Sequence, residues 1–306
     1  RDLRMSRGLG DVYKRQGWRG VWMAIFHSIS AFCNAGFDIL GTESNRYPSL
    51  TGYAGSPVIN ITIMLLIVVG GIGFLTWDDV RTNRLCFHRY RLQSKVILTA
   101  TALLILLPTL YFFCFEFKGG TLRERLLLSL FQSVTPRTAG FNTADYTSLS
   151  SSGRGLTILL MFIGGSSGST AGGIKTTTAA VLVANAFAVF RRQKSPEMFG
   201  RRMEEKAVHD AAAIFTLYLV LSLTGAFTIS TVEGLPLSEC LFETTSAIAT
   251  VGLSLGLTPH LGIVSQGILI FLMFIGRVGG LTMIYAALSG SKSSVARLPQ
   301  ERITVG

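Results

Sequence analysis

Five apolar runs dominate the chain, at 57–80, 94–117, 155–190, 207–232 and 262–288, separated by short polar blocks. Each is long enough to cross about 30 Å of hydrocarbon as a helix, which takes about 20 residues. Between them lie three shorter, semi-polar segments at 21–33, 122–135 and 238–249, each closing on a Gly-containing tripeptide. These are too short to span. They predict re-entrant helices, which a membrane accommodates only where protein or a water-filled cavity surrounds them.

The short segments repeat. Aligned on glycine, "SISAFCNAGF", "QSVTPRTAGF" and "TTSAIATVGL" share the pattern [NT]-[AV]-G-[FL], with Gly36, Gly140 and Gly252 separated by 104 and 112 residues. After each comes an apolar run with a glycine cluster, "VVGGIGFLT", "FIGGSSGSTAGGIKT" and "FIGRVGGLT", whose first glycine lies 34, 24 and 24 residues beyond the tripeptide's. A fixed internal period marks repeated structural units. The expected fold class is therefore an all-α membrane protein of repeated membrane–pore–membrane units around a central pore.

Charge agrees with this picture. Lys and Arg outnumber Asp and Glu by 28 to 17, yet only 15% of residues are charged and mean hydropathy is +0.47. A soluble domain carries about 25% charged residues. No basic stripe interleaves with aromatics, so no nucleic-acid partner is expected. The positive charge instead falls in two blocks, Arg81, Arg84, Arg89, Arg91 and Lys95, then Arg191, Arg192, Lys194, Arg201, Arg202 and Lys206. The positive-inside rule makes both cytoplasmic, so all three short helices enter from outside. Cys33, Cys86, Cys114 and Cys240 have no metal-ligand or CxxC spacing and are expected to serve as small apolar residues.

Glycine at the end of a half-helix reaches backbone angles that let successive carbonyls point at one axis. Carbonyls so placed replace a cation's hydration shell, and the half-helices aim their partially negative C-terminal ends at the ion. The candidate filter is thus Asn34, Ala35, Gly36 and Phe37, with Thr138, Ala139, Gly140 and Phe141, and with Thr250, Val251, Gly252 and Leu253. None is acidic, which disfavours calcium or magnesium and favours a weakly hydrated monovalent cation held by backbone carbonyls only. Asp38, just beyond, reads as a surface acid.

These motifs together resemble the Trk/Ktr/HKT superfamily of potassium transporters, closest to its bacterial TrkH/KtrB-like membrane subunit. The resemblance covers about residues 20–290. It implies four such units in one chain. Here 17–80 reads as a partial second repeat, 94–195 as the third and 207–290 as the fourth, with 291–306 a cytoplasmic tail. The chain is then an N-terminally truncated fragment. Residues 1–16, whose "DVYKRQ" resembles a translated sequencing adapter, are set aside as non-native or disordered.

The resemblance also implies an intramembrane gate in the third repeat. Gly164, Gly165, Ser166, Ser167, Gly168, Ser169, Thr170, Gly172 and Gly173 would form a flexible loop beneath the filter. The composition agrees, because each glycine weakens a helix by about 1 kcal/mol relative to Ala. Arg277 in "IGRVGG" matches the family's arginine facing that loop, where it would hold the loop or raise an electrostatic barrier; Lys175 is counted with the gate, its alternative being to reach the cytoplasmic interface. The resemblance further implies K+ as transported ion, with Na+ as a companion possibility, and no bound cofactor. It implies a homodimer, a cytoplasmic nucleotide-binding (RCK-type) regulatory subunit, and a multi-pass position in the bacterial inner membrane.

Two enzymatic readings compete. A phosphate loop needs G-x-x-x-x-G-K-[ST], whereas here Ile174 intervenes between Gly173 and Lys175. An intramembrane serine hydrolase would use Ser166 in Gly164–Gly168, which fits G-x-S-x-G. His27, His88, His209 and His260 are not naturally opposite that serine, so the needed base is missing.

Overall fold

In the computed structural model, residues 17–279 are described, apart from Ser44, Leu85 and Lys194. The tail at 291–306 and the set-aside segment 1–16 lie outside them. The three short helices form where expected: α1 (Trp18–Phe32), α5 (Leu122–Val134) and α9 (Leu237–Ile248). Helix α5 starts with a capping box, in which Thr121 Oγ1 accepts from Glu124 N and Glu124 Oε2 accepts from Thr121 N at 3.0 Å.

The apolar runs divide less simply than hydropathy predicts. Among the described residues, only two make continuous helices long and apolar enough to span: Leu92–Glu116, and α8 (Glu205–Glu233). The first is α4 (Leu92–Tyr111) followed by a π turn at Phe112–Glu116, four residues after Pro108. Proline removes an amide and disturbs the ladder. Arg125 meets the freed carbonyls, donating to Phe113 O at 2.9 Å and Phe117 O at 2.6 Å while stacking on the Phe113 ring.

The expected single span at 57–80 is instead two helices, α2 (Pro57–Ile72) and α3 (Phe74–Asn83), bent by 95° at Gly73. Gly73 has φ +94°, a conformation that L side chains avoid. The run at 155–190 is likewise split into α6 (Ser151–Phe162) and α7 (Thr176–Phe190) around the glycine-rich loop. Helix α10 (Ile263–Val278) stops at Gly279, and the rest of that expected span lies outside the described residues.

The last two units of the chain share a joint that hydropathy does not reveal. Glu116, at the end of one span, accepts from Ser150 N at 3.0 Å and Ser150 Oγ at 2.5 Å, fixing the start of α6. Glu233, at the end of α8, accepts from Gly262 N at 2.9 Å and Ser265 Oγ at 2.5 Å, fixing the start of α10. In both cases a carboxyl group meets amides that a helix start leaves unpaired.

Packing follows the same repetition. One buried cluster joins Ala31, Ile63 and Ile67 to Phe131, Ala139 and Phe141; another joins Tyr218, Ala226 and Ile229 to Ile248, Leu269 and Leu272. Gly70 and Gly276 allow the closest approaches. A Cβ on Gly70 would lie 1.9 Å from Phe32 O, and one on Gly276 1.9 Å from Ile248 O. Each glycine thus seats its span against the last turn of its own repeat's short helix.

The two basic segments face one another. Phe87 and Phe199 stack edge-on with ring centroids 6.0 Å apart, which places the segments on one side of the molecule. A two-residue hairpin, β1 (Glu197–Met198) with β2 (Arg201–Arg202), closes the second segment. Three of the four cysteines, Cys33, Cys86 and Cys114, are exposed, and only Cys240 fills the buried apolar role expected of all four.

Candidate ion pathway and glycine-rich loop

The three glycine tripeptides, 104 and 112 residues apart, come together. A Cβ on Gly36 would lie 2.4 Å from Ala139 O and 3.0 Å from Gly140 Cα; one on Gly140 would lie 2.3 Å from Val251 O. Gly36 and Gly140 therefore each press against the backbone of the next tripeptide, whereas a Cβ on Gly252 would come no nearer than 3.9 Å, to Gly140 Cα. Among the described residues, the flank from Gly252 round to Ala35 stays open. Phe37 is 70% exposed there, whereas its counterparts Phe141 and Leu253 are 0% and 3%.

Their backbone is unusual in a repeated way. Seven described non-glycine residues have positive φ, and three of them, Asn34 (49°), Thr138 (65°) and Thr250 (53°), stand two positions before the tripeptide glycine. Gly36, Gly140 and Gly252 are also positive, at 70°, 78° and 87°, while Ala35, Ala139 and Val251 are not. Alternating signs of φ turn successive carbonyls toward one side of the strand. Non-glycine residues seldom hold positive φ, and such strain persists only where the surroundings enforce it.

The short helices supply that enforcement. Ala35 N donates to Ser30 O at 2.9 Å and Val251 N to Ser246 O at 2.8 Å, while Gly140 N reaches Thr135 O at 3.4 Å. Ser30 Oγ donates to Phe37 O at 2.8 Å, and Thr135 Oγ1 to Phe141 O at 2.5 Å. The fourth carbonyl of these two segments is thus drawn back toward its helix. Asn34 braces the first segment; with its nitrogen donating, the carboxamide reaches Ile67 O at 3.2 Å and Ala31 O at 3.1 Å.

Behind the third tripeptide sits Glu243, 4% exposed. Its oxygens accept from Leu255 N and Ser254 Oγ, each at 2.8 Å, and from Thr258 Oγ1 at 2.7 Å. The sequence reading passed over it because one acid in a semi-polar helix carries no pattern. Arg137, 3% exposed and next to Thr138, was also missed; it donates to Thr101 Oγ1 at 3.1 Å. Asp38 behaves as a loop acid, its carboxyl accepting from Leu40 N.

The glycine-rich loop between α6 and α7 is closed at its base. Gly164 N donates to Ile174 O at 2.8 Å and Thr176 N to Gly165 O at 3.0 Å. Ser166 is buried; its hydroxyl meets Thr176 Oγ1 at 3.2 Å, not a histidine, so the hydrolase pattern has no base in contact. The loop lies against the tripeptides, for a Cβ on Gly172 would lie 1.9 Å from Thr250 Oγ1 and one on Gly164 3.0 Å from Thr138 Cγ2.

Its tip bridges distant parts of the chain. Thr170 Oγ1 donates to Phe32 O at 3.1 Å and Gly70 O at 3.2 Å, and Arg277 Nη1 donates to Thr170 O at 3.2 Å. Ser169 Oγ donates to Ser166 O at 2.6 Å. Lys175 folds back onto the loop, its ammonium donating to Ala171 O at 2.5 Å, rather than extending outward. An amine near a tight turn satisfies carbonyls that the broken helix leaves unpaired.

A model of the TrkH family, described as a cation transport protein, matches residues 3–295, a range that includes most of the segment set aside above. The potassium/sodium uptake protein NtpJ of Enterococcus hirae is 40% identical over 305 residues, covering 95% of this chain and 65% of that protein. The Ktr system potassium uptake protein B of Bacillus subtilis is 39% identical over 298 residues, with the same coverage of 95% and 65%. The chain thus spans 65% of the length of these curated relatives. The crystal structure of the potassium transporter TrkH from Vibrio parahaemolyticus superposes with a TM-score of 0.72 at 19% identity, covering 86% of this chain and 57% of that one, and so shares its fold. Motifs, fold and family match agree: the chain belongs to the TrkH family of cation transport proteins.

Proposed function

We propose that this protein carries potassium across a membrane through a filter of backbone carbonyls above an intramembrane gate. The convergence of the three tripeptides is the observation that carries the reading, with Gly36 against Ala139 O and Gly140 against Val251 O. Positive φ at Asn34, Thr138 and Thr250 favours carbonyls on one side of each strand, where they replace a monovalent cation's hydration shell. A further segment, covering exposed Phe37, completes the ring. Sodium is the companion ion, as the name of the NtpJ relative suggests.

The loop from Gly164 to Gly173 acts as the gate. Its support is position and bonding: it packs against Thr138 and Thr250, and Arg277 holds its tip through Thr170 O. The protein sits in the bacterial inner membrane with its basic segments cytoplasmic, since Phe87 and Phe199 bring both to one side. It works as a homodimer with a cytoplasmic nucleotide-binding regulatory subunit, in keeping with the Ktr system named for its relatives.

Complementation tests the transport reading. The complete gene should restore growth of a potassium-uptake-deficient bacterium at low potassium, and no rescue at any expression level would reject it.

A further inference from the structure

Helix α3 is fixed at its start and midway along its length to two different parts of the molecule. At its start, Phe74 N donates to Gly168 O at 3.0 Å, and just before the bend Gly71 O accepts from Ser166 N at 3.0 Å. A Cβ on Gly73 would lie 2.7 Å from Ser167 O. These bonds use groups that a helix break leaves unpaired, so the glycine-rich loop itself caps the broken helix. Across the bend, Trp77 Nε1 donates to Val69 O at 3.0 Å, bracing the angle.

The middle of the helix holds to the basic segment. Asp79 is 3% exposed. Its carboxyl accepts from Arg91 N at 3.1 Å and Ser94 Oγ at 2.5 Å, and pairs with Arg91 Nε at 3.5 Å. Six residues of helix, about 9 Å, separate Gly73 from this anchor.

We propose that α3 is a lever, with Asp79 the positioning residue through which the basic segment at 84–91 sets the place of the gate loop. The proposal rests on the gate reading above. A buried carboxyl with three donors resists displacement, and a short helix moves as a body. The loop, with five glycines in ten residues, offers little stiffness of its own. Movement of the 84–91 segment must then shift Phe74 N together with Gly168 O, or break the bond between them.

The test uses the product of the complete gene in liposomes, with Cys33, Cys86 and Cys114 replaced by Ser. A reporter, Ser169→Cys, measures how fast the loop reacts with a hydrophilic thiol reagent; Ser152→Cys on α6 serves as reference. Asp79→Asn should speed modification at position 169 at least threefold and change basal potassium flux at least twofold, with position 152 unchanged. Ser94→Ala, which removes one donor, should act in the same direction more weakly and covers the case in which Asp79→Asn does not fold. Glu205→Gln, the same loss of charge at an exposed position at the start of α8, should do neither.

Unchanged reactivity at position 169 in Ser94→Ala and any folded Asp79→Asn protein would overturn the lever, provided that shortening the loop by Ser167–Thr170 still alters flux. Should shortening also leave flux unchanged, the gate reading falls, and the lever with it.

Discussion

Gly140 and Val251 stand so close that a Cβ on the glycine would lie 2.3 Å from the valine carbonyl oxygen, and Gly36 meets Ala139 in the same manner at 2.4 Å. The relation steps from one repeat to the next. It sets the three tripeptides side by side, and glycine is required at Gly36 and Gly140 because any side chain there would displace a neighbour's carbonyl.

Seating glycines can be separated from glycines that merely occupy helices. Gly70→Ala and Gly276→Ala each place a methyl 1.9 Å from a carbonyl oxygen, an overpacking that costs about 1–3 kcal/mol. Both should lower the unfolding midpoint of the purified protein by similar amounts. Gly267→Ala, in α10 with nothing within 4 Å, should hold or raise it, by up to about 1 kcal/mol. Equal midpoints for all three would show that the spans do not seat on the short helices.

Glu243 secures the segment that follows the third tripeptide. Glu243→Ala strips three donors of their acceptor and should destabilise the protein by about 3 kcal/mol. Glu243→Gln, which keeps an acceptor oxygen, should lose less. Equal stability of the alanine variant and the parent, measured by thermal unfolding in detergent, would contradict the assignment.

Much of this was legible in the sequence, and the misses have physical causes. The short helices, the tripeptides and the place of the glycine-rich loop follow from hydropathy and spacing, because period and composition are linear properties. The 95° bend at Gly73 was not, since apolar residues run on past it through Phe74, Leu75 and Trp77. Hydropathy reports where a segment is buried and carries no information on φ. Glu116, Glu233 and Glu243 were missed for another reason: each finds its partners across a loop, so no local pattern marks it. The contact of Lys175 with Ala171 O has no mark in the sequence, because the turn that supplies that carbonyl exists only once the loop folds.

Arg277 and Thr170 give the gate its most accessible test. Arg277→Ala removes the donor to Thr170 O, 107 residues away, and should raise basal potassium flux about tenfold, the equivalent of about 1.4 kcal/mol. Arg277→Lys should restore part of the restraint if its ammonium reaches the same carbonyl. Flux unchanged in Arg277→Ala would mean that this bond does not hold the loop.

The central claim is that three glycine tripeptides line one cation pathway, and Gly140→Ser tests it against Gly200→Ser. Both replace a glycine with positive φ, 78° and 73°, so both carry backbone strain. Only Gly140 faces a carbonyl at collision distance, whereas nothing lies within 4 Å of Gly200. With potassium and sodium flux measured in liposomes, Gly140→Ser should cut potassium flux at least tenfold or abolish its preference over sodium, and Gly200→Ser should change neither. Gly140→Ser protein that folds and keeps flux and preference within twofold of the parent would contradict the account.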